Sequence, residues 1–166
     1  AALFGTAGLF AFDLDLNPAD GSIPVAEMFA CNNALGYHVG IPTGLEYVHW
    51  TEGRIGFGLG AGAIASYDFA SGVKPSGMFA HDLTASFYFK FFQKVSKKNI
   101  GYRGYFYVDV GSFGDDTSIF ESFFTSTGYT LELFLNPHFS IPMSLGFIVT
   151  EDTILPMPGA GFRINL

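Results

Sequence analysis

The sequence predicts an all-β protein, an antiparallel up-and-down β-barrel that crosses a membrane with its strands. Three observations lead to this fold class. Apolar and polar residues alternate with a period of two along much of the chain. Charged residues fall on the polar side of these alternations, and several alternating segments exceed the ~5 to 6 residues of ordinary strands. Since 166 residues are enough for one domain, we expect a single barrel domain over residues 1–166.

The composition agrees with this fold class and excludes others. Apolar residues make up 49% of the chain and charged residues 14%, with 21 Gly and 20 Phe. No run approaches the ~18 consecutive apolar residues that a membrane-spanning helix needs. The net charge of −7 argues against a nucleic-acid partner, because phosphate binding requires clustered Lys and Arg. One cysteine, Cys31, provides neither a disulfide framework nor a cysteine zinc site, and we expect no metal or cofactor.

Seven segments alternate clearly enough to be predicted as strands. The most informative covers residues 80–92, where Leu83 and Phe87 share one face while Asp82, Ser86 and Lys90 share the other. The seven segments are 10–16, 54–69, 80–92, 100–110, 128–135, 139–150 and 160–166.

An eighth strand is predicted over residues 36–50, although Pro42 and Gly44 interrupt its pattern. Residues 17–33 then form the longest loop, in which residues 25–30 form either a short extra strand or a helical turn. We therefore expect eight strands, with ten as the alternative.

Alternation alone does not decide which face is inside, because a soluble lipocalin-like barrel turns its apolar face inward around a ligand. Four features favour lipid outside. Apart from Glu121 at a strand rim, no charge falls on an apolar face, where it would cost about 2 to 4 kcal/mol near the bilayer midplane. Most strands reach the 9 to 11 residues needed to cross a bilayer. Glycines at 56, 58, 60 and 62 leave inner space for Tyr88, Tyr105 and Tyr107. Finally, longer connections alternate with shorter ones, apart from 93–99 and 151–152. The longer ones are 17–33, 70–77 and 111–118, and the shorter ones are 51–53 and 136–137.

These features resemble the small outer-membrane barrels of the OmpA, OmpX and OmpW type. The motif that carries the resemblance is the alternating final strand, Gly-Ala-Gly-Phe-Arg-Ile-Asn-Leu over residues 159–166, which ends in Leu166 where the family usually ends in Phe. The resemblance implies the bacterial outer membrane as the location. It also implies contact with the lipid bilayer and lipopolysaccharide, with other outer-membrane proteins as further possible partners.

The predicted register sorts the charges inside the barrel by height. If the chain termini lie on the periplasmic side, a lumen charge network forms near that end, and acids form a ring near the outer end. The predicted network consists of Arg54, Lys90, Arg103, Glu132 and Arg163. The predicted ring consists of Asp15, Asp68, Asp82 and Asp109. In the first interpretation, Glu132 pairs with Arg103 or Arg163 and closes the lumen, whereas in the second the acids attract cations into a narrow pore.

No enzyme is predicted. His138 and Ser140, with Glu151 or Asp152, superficially resemble the catalytic residues of lipid A deacylases. However, about twelve residues at ~3.3 Å each place His138 and Glu151 at opposite ends of one strand, and a triad requires hydrogen-bond contact. Glu132 remains as another acid for such a site.

The predicted function is therefore a structural or interaction barrel, with a narrow pore or an accessory subunit of a larger outer-membrane complex as alternatives.

Overall fold

The structure is a computed structural model that describes residues 23–39, 43–68, 74–115, 118–149 and 154–166. Side chains are described in these ranges except at residues 63–81, 113, 115–122 and 155. The described chain forms one short helix, α1 (Val25–Met28), and eight strands. The strands are β1 (Asn33–Val39), β2 (Thr43–Trp50), β3 (Ile55–Asp68), β4 (Lys74–Val95), β5 (Gly101–Asp115), β6 (Ser118–Asn136), β7 (Phe139–Val149) and β8 (Ile154–Asn165).

The eight strands form a closed barrel in sequence order. Every strand is antiparallel to its two neighbours, and β1 closes the ring by pairing with β8 from Ala34 opposite Asn165 to Val39 opposite Ala160. The predicted fold class, an all-β antiparallel up-and-down barrel of eight strands, is therefore confirmed.

The prediction of one strand over residues 36–50 is wrong. This region contributes two strands, β1 and β2, which pair with each other from Asn33 opposite His49 to His38 opposite Gly44. Pro42 lies outside the described residues, and Gly44 is a paired residue of β2. The predicted strand 10–16 lies outside the described residues, and the described barrel closes without it.

The predicted contrast between long and short connections also fails. Two residues separate β5 from β6, as two residues separate β6 from β7. The loop predicted over residues 111–118 is short because β5 continues to Asp115 and β6 already begins at Ser118. Hydrogen bonding between the two strands thus extends beyond the residues that alternate in polarity.

The barrel wall has unequal height. β4 and β6 contain 22 and 19 residues, well above the 9 to 11 that a tilted strand needs to cross a bilayer. β1 and β2 contain only 7 and 8 residues. The wall is therefore low on the side of β1 and β2 and tall on the side of β4 to β6.

The two faces of the wall follow the predicted alternation. Outward-facing Leu45 and Leu145 are 67% and 65% exposed, whereas inward-facing Glu132 and Arg163 are 1% and 3% exposed. The same alternation along β4 leaves Leu83 and Phe87 exposed and buries Tyr88. Buried charges such as Glu132 and Arg163 thus lie inside, and exposed apolar residues such as Leu45 and Leu145 lie outside, the reverse of a water-soluble barrel.

The chain segment that contains α1 lies at one of the two ends of the barrel. Odd-numbered strands begin, and even-numbered strands end, at the end where Leu166 N–H donates to the carbonyl of Asn33 at 2.7 Å. We call this the terminal end and the opposite one the distal end. The segment before β1, which contains α1, also lies at the terminal end, and α1 confirms the helical alternative for residues 25–30. None of the helices in the described part of the chain is long and apolar enough to cross a membrane.

Candidate functional site

Arg163 lies at the centre of an ionic network inside the barrel. Its Nε and Nη2 donate to the two carboxylate oxygens of Glu46 at 2.7 and 3.0 Å, a bidentate arrangement. Its Nη1 donates to Tyr105 Oη at 2.6 Å and to Glu132 Oε1 at 3.1 Å. One guanidinium thus links β8 to β2, β5 and β6 across the lumen.

Glu132 is the buried anion that two cations share. Arg103 Nη1 lies 3.7 Å from its Oε2, because Arg103 and Glu132 are direct cross-strand partners on β5 and β6. Ser140 on β7 donates to Glu132 Oε1 at 2.8 Å. The Arg103 guanidinium also lies 4.6 Å from the ring centroid of Trp50 and 4.7 Å from that of Phe134, which adds cation–π contacts.

The structure brings together three of the five residues predicted for the lumen charge network: Arg103, Glu132 and Arg163. Lys90 lies at the edge of this group, where its Nζ donates to Gln93 Oε1 at 2.8 Å and lies 5.8 Å from the Trp50 ring centroid. Arg54 lies outside the network, since it is exposed in the bend between β2 and β3. Its assignment to the lumen was wrong because β3 begins one residue later, at Ile55, so strand alternation does not fix the direction of its side chain.

Two residues of this site were missed in the sequence analysis. Glu46 and Trp50 both point inward from β2, and both contact predicted network residues. The pattern that could have identified Glu46 is its position between the apolar, outward-facing Leu45 and Tyr47. The broken alternation of residues 36–50 obscured it.

Aromatic side chains fill much of the remaining interior. Trp50, Tyr88 and Tyr105 pack as a trio with ring centroids 5.1 to 5.7 Å apart. The glycine series provides the space in part, because a Cβ built on Gly58 would lie 2.6 Å from Tyr88 Oη, and one on Gly56 would lie 2.8 Å from Trp50 Cε3. The prediction is confirmed for Tyr88.

Tyr107 occupies a different part of the wall from the one predicted. Its hydroxyl lies against Gly128 and Gly146, on β6 and β7. The glycines of β3 therefore accommodate Tyr88 and Trp50, and a second glycine pair accommodates Tyr107.

A cavity of about 100 Å³ lies between this network and the distal end. Asp82, Asp109, His38 and Tyr107 line its walls, and Glu46 and Arg163 also border it. Asp109 accepts a hydrogen bond from Ser126 Oγ at 2.7 Å, and Asp82 accepts one from Thr84 Oγ1 at 3.4 Å. The lining carries more acid than base.

Two of the four acids predicted as a ring border this one cavity, Asp82 and Asp109. Asp68 belongs to β3, where only its backbone is described, and Asp15 lies outside the described residues. In the described side chains, no three His, Cys, Asp or Glu residues converge as a group that could hold a metal ion.

Ser140 and His138, which were considered for a deacylase site, lie in different surroundings. Ser140 is buried in the lumen, where it donates to Glu132 and accepts from Asn165 Nδ2 at 3.3 Å. His138 is exposed in the turn between β6 and β7, where its Nδ1 lies 3.3 Å from the carbonyl oxygen of Asn165 and 3.8 Å from Cys31 Sγ. Ser140 is thus a member of the ionic network.

Comparisons with known proteins relate the chain to solved β-barrels. No family model matches the sequence, and no curated protein matches it either. The crystal structure of the N-terminal β-barrel domain of Pseudomonas aeruginosa OprF superposes with a TM-score of 0.57 at 12% identity, covering 82% of this chain and 98% of that one. Two structures of the Yersinia pestis protein Ail also match. One, the outer membrane protein in a phospholipid bilayer nanodisc, has a TM-score of 0.45 at 16% identity over 80% of this chain and 97% of that one. The other, a crystal structure, has a TM-score of 0.41 at 14% identity over 81% and 93%. The OprF comparison shows that this chain shares the fold of a small bacterial β-barrel domain.

Proposed function

We propose that this chain is an integral protein of the bacterial outer membrane, with a closed lumen and a structural or interaction role. The observation that carries the proposal is the reversed distribution of polarity between the two faces of the wall. Outward-facing residues such as Leu59, Phe106 and Val110 are more than half exposed, while Arg103, Glu132 and Arg163 are buried. An apolar band of this extent requires a cover, and lipid acyl chains provide one around a closed barrel.

The alternating final strand, now seen as part of β8, supports the outer membrane in particular. Phe162 and Ile164 face outward from it while Arg163 and Asn165 face inward. This is the pattern that small outer-membrane barrels resembling this chain share. Such a location would give the protein the bilayer and lipopolysaccharide as its first partners, with other membrane proteins able to dock on the same apolar face.

The closed lumen is supported by the density of interior contacts. Arg163 spans from β8 to three other strands, and the Trp50, Tyr88 and Tyr105 rings fill the space beside it. Eight strands enclose an interior that side chains can fill completely. Ions would have to displace a satisfied bidentate pair in order to pass.

Recordings in a planar lipid bilayer test this function. We expect the purified protein to insert without producing steady channels, because the network and the aromatic trio block the path. The double variant Trp50→Ala/Tyr105→Ala is the matched comparison, since it removes two rings while leaving the charged partners Glu46, Glu132 and Arg163 in place. Steady conductance of the unmodified protein, equal to that of the double variant, would overturn the closed-lumen proposal.

A second candidate function, binding of a small cation from the distal end, is favoured by the cavity above the network. Asp109 is held by the neutral hydroxyl of Ser126, and the buried Tyr107 hydroxyl has no hydrogen-bond partner among the described residues. Both border the cavity, whose size suits a cation with a few waters and excludes a drug-sized ligand.

Calorimetric titration with Ca²⁺, with Na⁺ as the comparison, tests this second candidate. Asp109→Asn is expected to weaken binding while leaving the barrel folded. The surface substitution Glu52→Gln, in the exposed bend after β2, is the control and should not change the affinity. If the unmodified protein, Asp109→Asn and Glu52→Gln all bound Ca²⁺ with equal affinity, the cavity would be ruled out as the binding site.

A further inference from the structure

Residues 23–32, which we call the strap, cross the opening at the terminal end of the barrel. The strap is fixed at one side by Ile23, whose N–H donates to Asn99 Oδ1 in the turn between β4 and β5 at 2.8 Å. It is fixed at the other side by Asn32, whose carbonyl accepts from Trp50 N–H at 2.7 Å. These two attachments are about three strands apart in a ring of eight, so the strap spans the opening.

Two apolar side chains anchor the strap inside the opening. Met28 is fully buried and Phe29 is 8% exposed, and both pack against Val95 and Phe134. The rings of Phe29 and Phe134 meet edge to face, with centroids 4.7 Å apart. A Cβ built on Gly101 would lie 2.7 Å from Met28 Cγ, so the glycine at this position leaves room for the anchor.

The strap also covers the end of the ionic network. The ring of Phe29 lies 5.2 Å from the Arg103 guanidinium, on which Trp50 and Phe134 also pack. Arg103 in turn lies beside Glu132. Removing Phe29 from this position would open one side of the Arg103 site to water at the terminal end.

The strap has little structure that would hold it in place without its anchors. Its helix α1 has only four residues, and an isolated helix of that length is unstable in water. Pro24, Val25, Ala26 and Glu27 are exposed. Between its two end attachments, the docked strap is therefore held by Met28 and Phe29, while the barrel itself closes through strand pairing that does not involve the strap.

We infer that the strap is a removable closure of the terminal end, which in its docked state keeps water away from the buried network and in its released state admits it. This inference goes beyond the proposed function, because it assigns the closure at this end to a segment that can leave the barrel intact. It holds whether or not the lumen conducts ions.

Thiol accessibility in detergent solution tests the inference. The reporter is Val95→Cys, placed in the Cys31→Ser background because Cys31 is the one natural cysteine. Val95 is buried against the strap, so its replacement should react slowly with a charged maleimide. Met28→Asp should raise the reaction rate by about tenfold or more, since the rate of modification follows the population of the open state.

Val25→Asp is the matched control, because it places the same charge on the exposed side of the same helix. It should leave the rate at the level of the reporter alone, and all variants should retain the mobility of the folded barrel on unboiled gels. Fast modification of the reporter without either Asp substitution, or equal acceleration by both Asp substitutions, would contradict the inference. A Met28→Asp protein that cannot fold would also contradict it, because a removable closure cannot be essential to the barrel. The test does not involve conductance, so its failure is distinguishable from failure of the closed-lumen proposal.

Discussion

Glu132 is the residue on which the buried network depends most, since both Arg103 and Arg163 approach its carboxylate. We predict that Glu132→Gln destabilises the folded barrel more than Asp82→Asn does. Loss of one partner from a buried ion pair commonly costs about 3 to 5 kcal/mol, because the remaining charge is left uncompensated. Asp82 borders a cavity with Asp109, where loss of one like charge has a compensating benefit. Denaturant titrations of both variants in detergent measure which of them lowers the free energy of unfolding more.

The reverse order would contradict this account of the interior. If Asp82→Asn were the more damaging change, the acids of the cavity would have to be held by a bound cation. The second candidate function would then become the better explanation of the distal half of the lumen.

Two neighbouring glycines of β3 provide a matched test of interior packing. A Cβ on Gly58 would lie 2.6 Å from Tyr88 Oη, whereas a Cβ on Gly60 would meet nothing closer than 3.6 Å. We predict that Gly58→Ala destabilises the barrel by about 1 to 3 kcal/mol, the usual cost of overpacking. Gly60→Ala should be neutral or slightly stabilising, because Ala restricts the unfolded chain more than Gly does. Denaturant titrations of the two variants measure this difference. If Gly58→Ala and Gly60→Ala unfolded at the same denaturant concentration, the trio of Trp50, Tyr88 and Tyr105 would be loosely packed.

At the scale of the strand, the two faces of β4 and β6 must respond differently to the same substitution. Replacing Phe87 or Leu133 with Arg places a charge toward lipid and should cost about 2 to 4 kcal/mol near the midplane. Ser86→Arg instead enters the lumen, where space and neighbouring charges such as Asp109 decide the effect. Folding titrations into lipid vesicles measure all three, and indistinguishable results would show that the face assignment is wrong.

Period-two alternation predicted the central strands, but it could not locate their ends. In β4 the alternation is clear over residues 80–92, while strand pairing continues from Lys74 to Val95. The outer parts of a strand are held by backbone hydrogen bonds, which any residue except proline can make. Polarity patterns therefore underestimate strand length wherever neighbouring strands extend together.

The hairpin of β1 and β2 was missed for a geometric reason. Leu35 pairs with Tyr47 and Tyr37 with Leu45, so the outward-facing residues of both strands have odd numbers. The alternation consequently keeps its parity across the connection, and periodicity cannot distinguish one long strand from two short ones. The proline in this stretch of sequence, Pro42, was the feature that favoured two strands over one.

The same error concealed Glu46, the second carboxylate that pairs with Arg163. Arg103 and Glu132 are neighbours on consecutive strands, so a local register was enough to expect their proximity. The pairing of Glu46 with Arg163 joins residues 117 positions apart, and it depends on how the barrel closes. Without separate β1 and β2 strands, the position of Glu46 relative to β8 could not be predicted.

For the whole molecule, the arrangement of charge and apolar surface forms a consistent pattern. Arg163 pairs with Glu46 and Glu132 inside, aromatic rings pack beside them, and the outer face is left apolar. In water, this outer face would be an exposed hydrophobic patch far larger than soluble monomers carry. The central claim is therefore that lipid, and not water, surrounds the barrel.

Flotation with lipid vesicles in detergent-free buffer tests that claim most directly. The protein folded in the presence of vesicles should float with them after washing with urea, and should run at a different mobility on unboiled gels than after boiling. A monodisperse, folded monomer that stays in the aqueous fraction without detergent would contradict the claim and favour a soluble barrel.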